Sequence, residues 1–257
     1  MNKGIVPIVS LRHSMPQETS LRNISIVLVN TKTPGNIGAA ARCMMNMGLS
    51  RLLLVKPPPD RSGEAMKLAA GAEKILRNAE SFPTLAEAVA DHGLVVGTSR
   101  HLGRRRKNVH TPREMAEHII PLLSRNKVAV VFGREVNGLD KDDLALCHEL
   151  IAIPSSGAFP SLNLSHAVMV VAYELFQATQ SDTPPSDSKL ARTEELERFY
   201  RHLQETLEDI GFIDRDQPEH MMFSLRQLFG RARLEERDVN VLRGILSQAA
   251  RAAREKK

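Results

Sequence analysis

Four short stretches of this sequence carry residue types that can do chemistry. "IPSSGAFPSLNLS", residues 153–165, ends in Ser161, Asn163 and Ser165. Those side chains cap a helix start whose free backbone N–H groups suit polar ligand atoms, although an ordinary capped helix uses the same residues. "VVFGREVNGL" sets Glu135 between Gly133 and Gly138, where unusual backbone angles cost little. A glutamate in such a turn serves as a catalytic group, a cap or a solvated side chain. "TPGNIGAAAR" opens a helix with Asn36 in its first turn and Arg42 further in, and its small residues from Gly38 to Ala41 admit close approach of a ligand or another backbone. It is a poor dinucleotide loop: the G-x-G-x-x-G spacing is missing, and Val55 and Lys56 stand where an acid is expected about twenty residues on. "GTSRHLGRRRKNVHTPRE" carries Arg100, Arg104, Arg105, Arg106, Lys107 and Arg113 with no acid between Thr98 and Arg113, which reads as phosphate contact or as a solvated basic loop.

The elements that must position these stretches alternate. The β-branched runs "ISIVLV", "LLLV", "LVVGT", "VAVVF" and "LIAI" are separated by helical patterns such as "GAAARCMMNMG", "LAEAVADH" and "PREMAEHIIPLL". That alternation predicts a parallel sheet covered by helices, with the polar loops gathered at its carboxyl edge, where open α/β folds bind ligands. Residues 1–22 read as a loose extension, 23–180 as the α/β domain and 181–192, around "QSDTPPSDSK", as a linker. Residues 193–257 read as three amphipathic helices with acidic starts. Basic charge gathers at the end: 181–219 holds 5 basic and 11 acidic residues, 220–257 holds 9 basic and 4 acidic.

The 257 residues suffice for a substantial core. With no Trp and 4% aromatic residues, stacking of bases on aromatic platforms is disfavoured, while a net charge of +5 favours a polyanionic partner held by basic groups. Two cysteines, Cys43 and Cys147, cannot make a zinc site alone and are expected as buried reduced thiols in a cytoplasmic protein. Cys147 beside His148 suggests a nucleophile and base, but adjacent residues on one element diverge. No apolar run is long enough to span a membrane.

Taken in order, "NTKTPGNIGAAAR", "LVVGTS", "VVFGREVNGL" and "IPSSGAFPSLNLSHAV" resemble the SPOUT class of S-adenosylmethionine-dependent RNA methyltransferases, and within it the tRNA ribose 2′-O-methyltransferases. The resemblance spans Asn23 to about Gln180, and the last seventy residues look like the helical extension of that group. It implies an α/β fold with helices on both faces of a parallel sheet, a trefoil knot at the cofactor site, and a homodimer formed through the knot region. Periodicity alone would have drawn an unknotted sheet, because knots are rare.

The resemblance assigns S-adenosyl-L-methionine contacts to Thr98, Ser99, Arg100, Gly133, Ile153, Pro160, Ser161 and Leu162, and catalytic or substrate-positioning roles to Asn36, Arg42, Glu135, Ser161 and Asn163, with no metal. The RNA partner is expected to be tRNA, methylated in the anticodon loop at nucleotide 32, with Arg104, Arg105, Arg106 and Lys107 on its phosphates. Another tRNA site, a ribosomal RNA target, or a non-catalytic RNA-binding protein of the same fold are the alternatives. The arginine-rich stretch replaces the aromatic and proline-containing one usual in the class. Arg42, a permanent cation, suits holding the ribose and phosphate better than abstracting a proton.

Overall fold

The computed structural model describes residues 21–59, 63–99, 108–158, 161–214 and 217–255. Arg100, Arg104, Arg105, Arg106, Lys107 and Pro160 lie outside the described residues. Seven parallel strands form one sheet in the order β3-β2-β1-β6-β4-β7-β5: β1 (Ile24–Val29), β2 (Arg51–Val55), β3 (Glu80–Phe82), β4 (Leu94–Thr98), β5 (Val109–His110), β6 (Val128–Phe132) and β7 (Glu149–Ile151). The five apolar runs are strands, and two short ones were missed. β3 and β5 are edge strands of three and two residues, too short for alternation to register.

The central strands read as unbroken apolar runs because both faces are covered, and successive residues feed different cores. Ile24, Ile26 and Leu28 of β1 join Leu52, Leu54, Val128, Val130 and Phe132 in one cluster. Val27 and Val29 join Leu53, Val55, Ala129 and Val131 in the other. The first face is covered by α1 (Pro34–Asn46), α3 (Glu73–Arg77), α5 (Pro112–Ile119) and α7 (Leu164–Ala178). α4 (Leu85–Val89) covers the second face, with part of α6 (Lys141–Ala145).

The small residues of α1 serve a backbone. A Cβ added at Gly38 would lie 2.0 Å from the carbonyl oxygen of Ala65 in α2 (Glu64–Leu68), so glycine is what lets the two helices touch. Of the two partners open to "GAAA", the neighbouring helix is the one present.

Beyond the sheet, α8 (Thr193–Asp209), α9 (Glu219–Ala232) and α10 (Glu236–Arg254) surround a core of their own around Phe199, Tyr200, Leu203, Met222 and Val239. The proline and serine stretch leading there is docked. Asn126 donates from Nδ2 to Ser188 O (2.8 Å) and accepts from Leu190 N–H (2.9 Å), and the N–H groups of Thr193 and Glu194 donate to His92 O and Ala90 O at 2.9 and 3.1 Å. Leu190 is buried against the sheet domain. Among the described residues, no helix is long and apolar enough to cross a membrane.

Candidate active site

Strand order runs in opposite directions from β1, and a pocket opens beyond the carboxyl ends of the strands on one side of that switch. It measures about 300 Å³ and is lined by the ends of β4, β6 and β7, the loop after β6, and the residues leading into α7. Thr98, Ser99, Gly133, Ile153, Ser161 and Leu162, all assigned to cofactor contact, line it together with Glu135. Asn36 and Asn163 reach its edge through hydrogen bonds rather than as walls.

Its frame begins in β4. Thr98 Oγ1 donates to Val131 O of β6 (3.1 Å), and Ser99 N–H donates to Ile151 O of β7 (2.9 Å), so three strand ends are tied together just below the pocket. The loop after β6 turns back on itself: Arg134 and Gly138 exchange two backbone hydrogen bonds of 3.1 and 3.0 Å, and Gly138 has φ +66°. A Cβ at Gly133 would sit 2.2 Å from the carbonyl carbon of Gly138, so the turn closes only around glycine.

Arg134 braces the same loop. Its guanidinium donates to Asp140 (3.0 Å), to Asp143 (3.0 Å) and to Gly138 O (3.3 Å). Asp140 and Asp143 are in turn the reciprocal cap of α6. Sequence reading passed over Arg134. The signal was present: "DKDD" is a capping pattern seven to ten residues downstream of Gly133, and acids gathered there need a cation.

Glu135 ties this loop to the start of α1. Its carboxylate accepts from Lys32 N–H and Thr33 N–H at 3.2 Å each, and from Asn36 Nδ2 at 3.0 Å. Burial pushes the carboxyl pKa up, but the hydrogen bonds from Asn36 and from backbone N–H groups more than offset it, and the net shift is downward. A low-pKa carboxylate with both oxygens engaged is a weak proton acceptor. It is a strong anchor. Glu135 also caps α1: Thr33 is the N-cap and makes no side-chain cap, so a carboxylate from a distant loop satisfies the helix start.

The chain of contacts continues into the polar loop. Asn163 donates from Nδ2 to Asn36 Oδ1 (3.1 Å), and its own Oδ1 accepts from Ser165 N–H (2.9 Å) and Ser165 Oγ (2.7 Å), capping α7. Glu135, Asn36 and Asn163 therefore link three segments that are far apart in sequence. Capping and site-building, which the sequence offered as alternatives, are the same set of bonds.

Arg42 stands apart. It is exposed on α1, six residues past Asn36 or about 9 Å along the helix, does not line the pocket, and makes no ion pair among the described residues. The two cysteines are half-buried rather than buried: Cys43 Sγ donates to Ser165 O and Cys147 Sγ to Asp143 O. His148 Nδ1 accepts from Val95 N–H (3.1 Å).

Comparison with known proteins places this geometry. The pattern of the SpoU rRNA Methylase family matches residues 23–173, and that of the tRNA methyltransferase TrmJ C-terminal domain matches residues 194–257. The tRNA (cytidine/uridine/adenosine-2′-O-)-methyltransferase TrmJ of Pseudomonas aeruginosa (strain UCBPP-PA14) is 42% identical over 247 residues, covering 91% of this chain and 96% of the relative. The tRNA (cytidine/uridine-2′-O-)-methyltransferase TrmJ of Salmonella typhimurium is 43% identical over 233 residues, covering 88% of this chain and 96% of the relative. The crystal structure of TrmJ from Z. mobilis ZM4 superposes with a TM-score of 0.75 at 36% identity, covering 87% of this chain and 97% of that one. Matched along most of its length in sequence and in structure, the chain belongs to the SpoU rRNA methylase family and carries a TrmJ-type C-terminal domain.

Proposed function

We propose that the protein transfers a methyl group from S-adenosyl-L-methionine to a ribose 2′-hydroxyl of tRNA. The observation that carries this reading is that three of the four motifs line one pocket and the fourth is hydrogen-bonded to its rim, in a chain whose relatives are named tRNA 2′-O-methyltransferases. The residues fit the cofactor: about 300 Å³ lies within the range of small-molecule sites, and the walls combine apolar Ile153, Leu162 and Leu139 with glycine-rich backbone that a polar ligand can approach. The cofactor supplies an electrophilic methyl on a sulfonium. The chain's residues supply placement. Gly133 and the Arg134 brace hold the loop against which the ligand rests. The linked Glu135, Asn36 and Asn163 fix the rim where a ribose would meet it, so most of the rate comes from orientation and local electrostatics.

Arg42 belongs to the RNA side of this reading. An exposed guanidinium on the helix whose first turn forms the rim suits a phosphate next to the target ribose. Expected targets are cytidine and uridine riboses, as the relatives' names suggest, with nucleotide 32 of the anticodon loop as the site. The basic final helix supports RNA contact by residues 193–257. A trefoil knot at the cofactor site belongs to the same reading, and the seating of β7 out of chain order between β4 and β5, beside the pocket, supports it. Exposed Tyr173 with half-buried Met169 and Val170 on α7, and exposed Met45 on the neighbouring α1, support a second copy packing along α7.

Arg42→Ala tests the assignment of roles. Calorimetry with S-adenosylhomocysteine should give an affinity within about twofold of the parent, while turnover on saturating tRNA falls by about a hundredfold or more. Near-parental turnover would make Arg42 an ordinary surface residue.

A further inference from the structure

We propose a second ligand site, built of residues that do not line the pocket: His110, His118 and Glu149 form a binding site for one divalent transition-metal ion of the zinc class. The three come from β5, α5 and β7, and one donor atom from each lies within 4.8 Å of the others. His110 Nε2 stands 3.2 Å from Glu149 Oε2, and the two imidazoles meet edge to face with centroids 5.0 Å apart.

The state of Glu149 points to a ligand. Its side chain is 4% exposed, yet Oε2 accepts no well-aligned hydrogen bond, and that oxygen is the one aimed at His110. A buried carboxylate oxygen left this way is costly, and a cation between it and the imidazoles would satisfy it. The other oxygen, Oε1, is held by Arg233 at the end of α9, with Nε and Nη2 each at 2.8 Å. Metal-bound carboxylates keep their outer oxygen hydrogen-bonded in this manner, so Arg233 orients the ligand while neutralising part of its charge. Arg233 also reaches His118 Nδ1 by a long 3.4 Å contact, which metal binding would break as the ring turns inward.

Two imidazoles and one carboxylate select zinc, cobalt or nickel over magnesium or calcium, which prefer oxygen donors throughout. Tetrahedral bonds of about 2.0–2.1 Å require donors about 3.4 Å apart, so the cluster closes by roughly an ångström on binding. His118 is exposed and His110 half-buried, which gives the ion an entry path and leaves a water-filled coordination position. The site would sit where β5 and β7 meet the end of α9, independent of methyl transfer.

Titration of the full-length protein with cobalt(II), followed by visible absorption, tests this. One ion per chain should bind, with ligand-field bands and no sulfur charge-transfer band. His110→Ala and His118→Ala should each weaken binding by at least about tenfold with unchanged circular dichroism, and Cys43→Ser with Cys147→Ser should leave it unaltered. Absence of the bands at millimolar cobalt, or their persistence in the His110→Ala, His118→Ala double variant, overturns the proposal.

Discussion

Glu135 takes up one of the roles that its glycine-rich turn left open in the sequence, where a catalytic group, a cap and a solvated side chain were all admitted. Its carboxylate holds three donors from the α1 entry, and its pKa is lowered as a result. Glu135→Ala should therefore cost about 1–2 kcal/mol of stability through loss of charge-assisted hydrogen bonds. Turnover should fall with it, and Gln, which keeps one acceptor oxygen, should restore part of both. Thermal unfolding and initial rates read this together. A variant that loses turnover with no change in stability would return Glu135 to direct chemistry. Arg134 was passed over: an arginine in a rim loop reads as solvated until its acids, six and nine residues on, are seen to fold back onto it.

At the scale of elements, glycines in helices separate two effects of known size. Alanine gains about 1 kcal/mol over glycine in a helix interior, whereas overpacking costs about 1–3 kcal/mol. Gly38 meets Ala65 O at 2.0 Å, while Gly244 in α10 has nothing within 4 Å. Gly38→Ala should lower the unfolding free energy by about 1–3 kcal/mol, and Gly244→Ala should raise it by up to about 1 kcal/mol. Denaturant melts of both variants check the pair; the same sign in both would mean that contact at Gly38 is relieved by sliding of α2. The five main strands were legible as continuous β-branched apolar runs, and the later helices because their 3.6 period persists for several turns. β3 and β5 were not, being defined by a neighbour's hydrogen bonds rather than by their own pattern. The docking of 186–194 was also hidden, since it rests on single bonds from Asn126, Ala90 and His92, which no composition signals.

For the whole molecule, the buried His92 and the half-buried His148 contribute to the response to acid. Burial pushes His92 and His148 down from 6.5 to about 4, against the opposing pull of Asp91 on the first and Glu197 on the second. His148 accepts a hydrogen bond from Val95 N–H, and His92 Nε2 lies 2.9 Å from Ser25 Oγ. Between pH 6.5 and 4 the unfolded chain binds protons that the folded chain refuses. Stability is thus full above 6.5 and lost as pH falls toward 4, on the order of 1–2 kcal/mol per histidine at pH 5. Chemical denaturation at pH 7.5 and 5 measures it, and equal stability at both would contradict the burial of the two rings as neutral groups. The architecture on which all of this depends was legible from four motifs in order. The link among Glu135, Asn36 and Asn163 was not, because it joins residues 99 and 127 positions apart. The central claim is that this pocket methylates a tRNA ribose. Unmodified tRNA incubated with the protein and methyl-labelled S-adenosylmethionine, then digested and resolved by mass spectrometry, tests it most directly. The account predicts label in a single 2′-O-methylated nucleoside, cytidine or uridine, at one position of the anticodon loop. Label on a base, or none in RNA despite saturable cofactor binding, would contradict it.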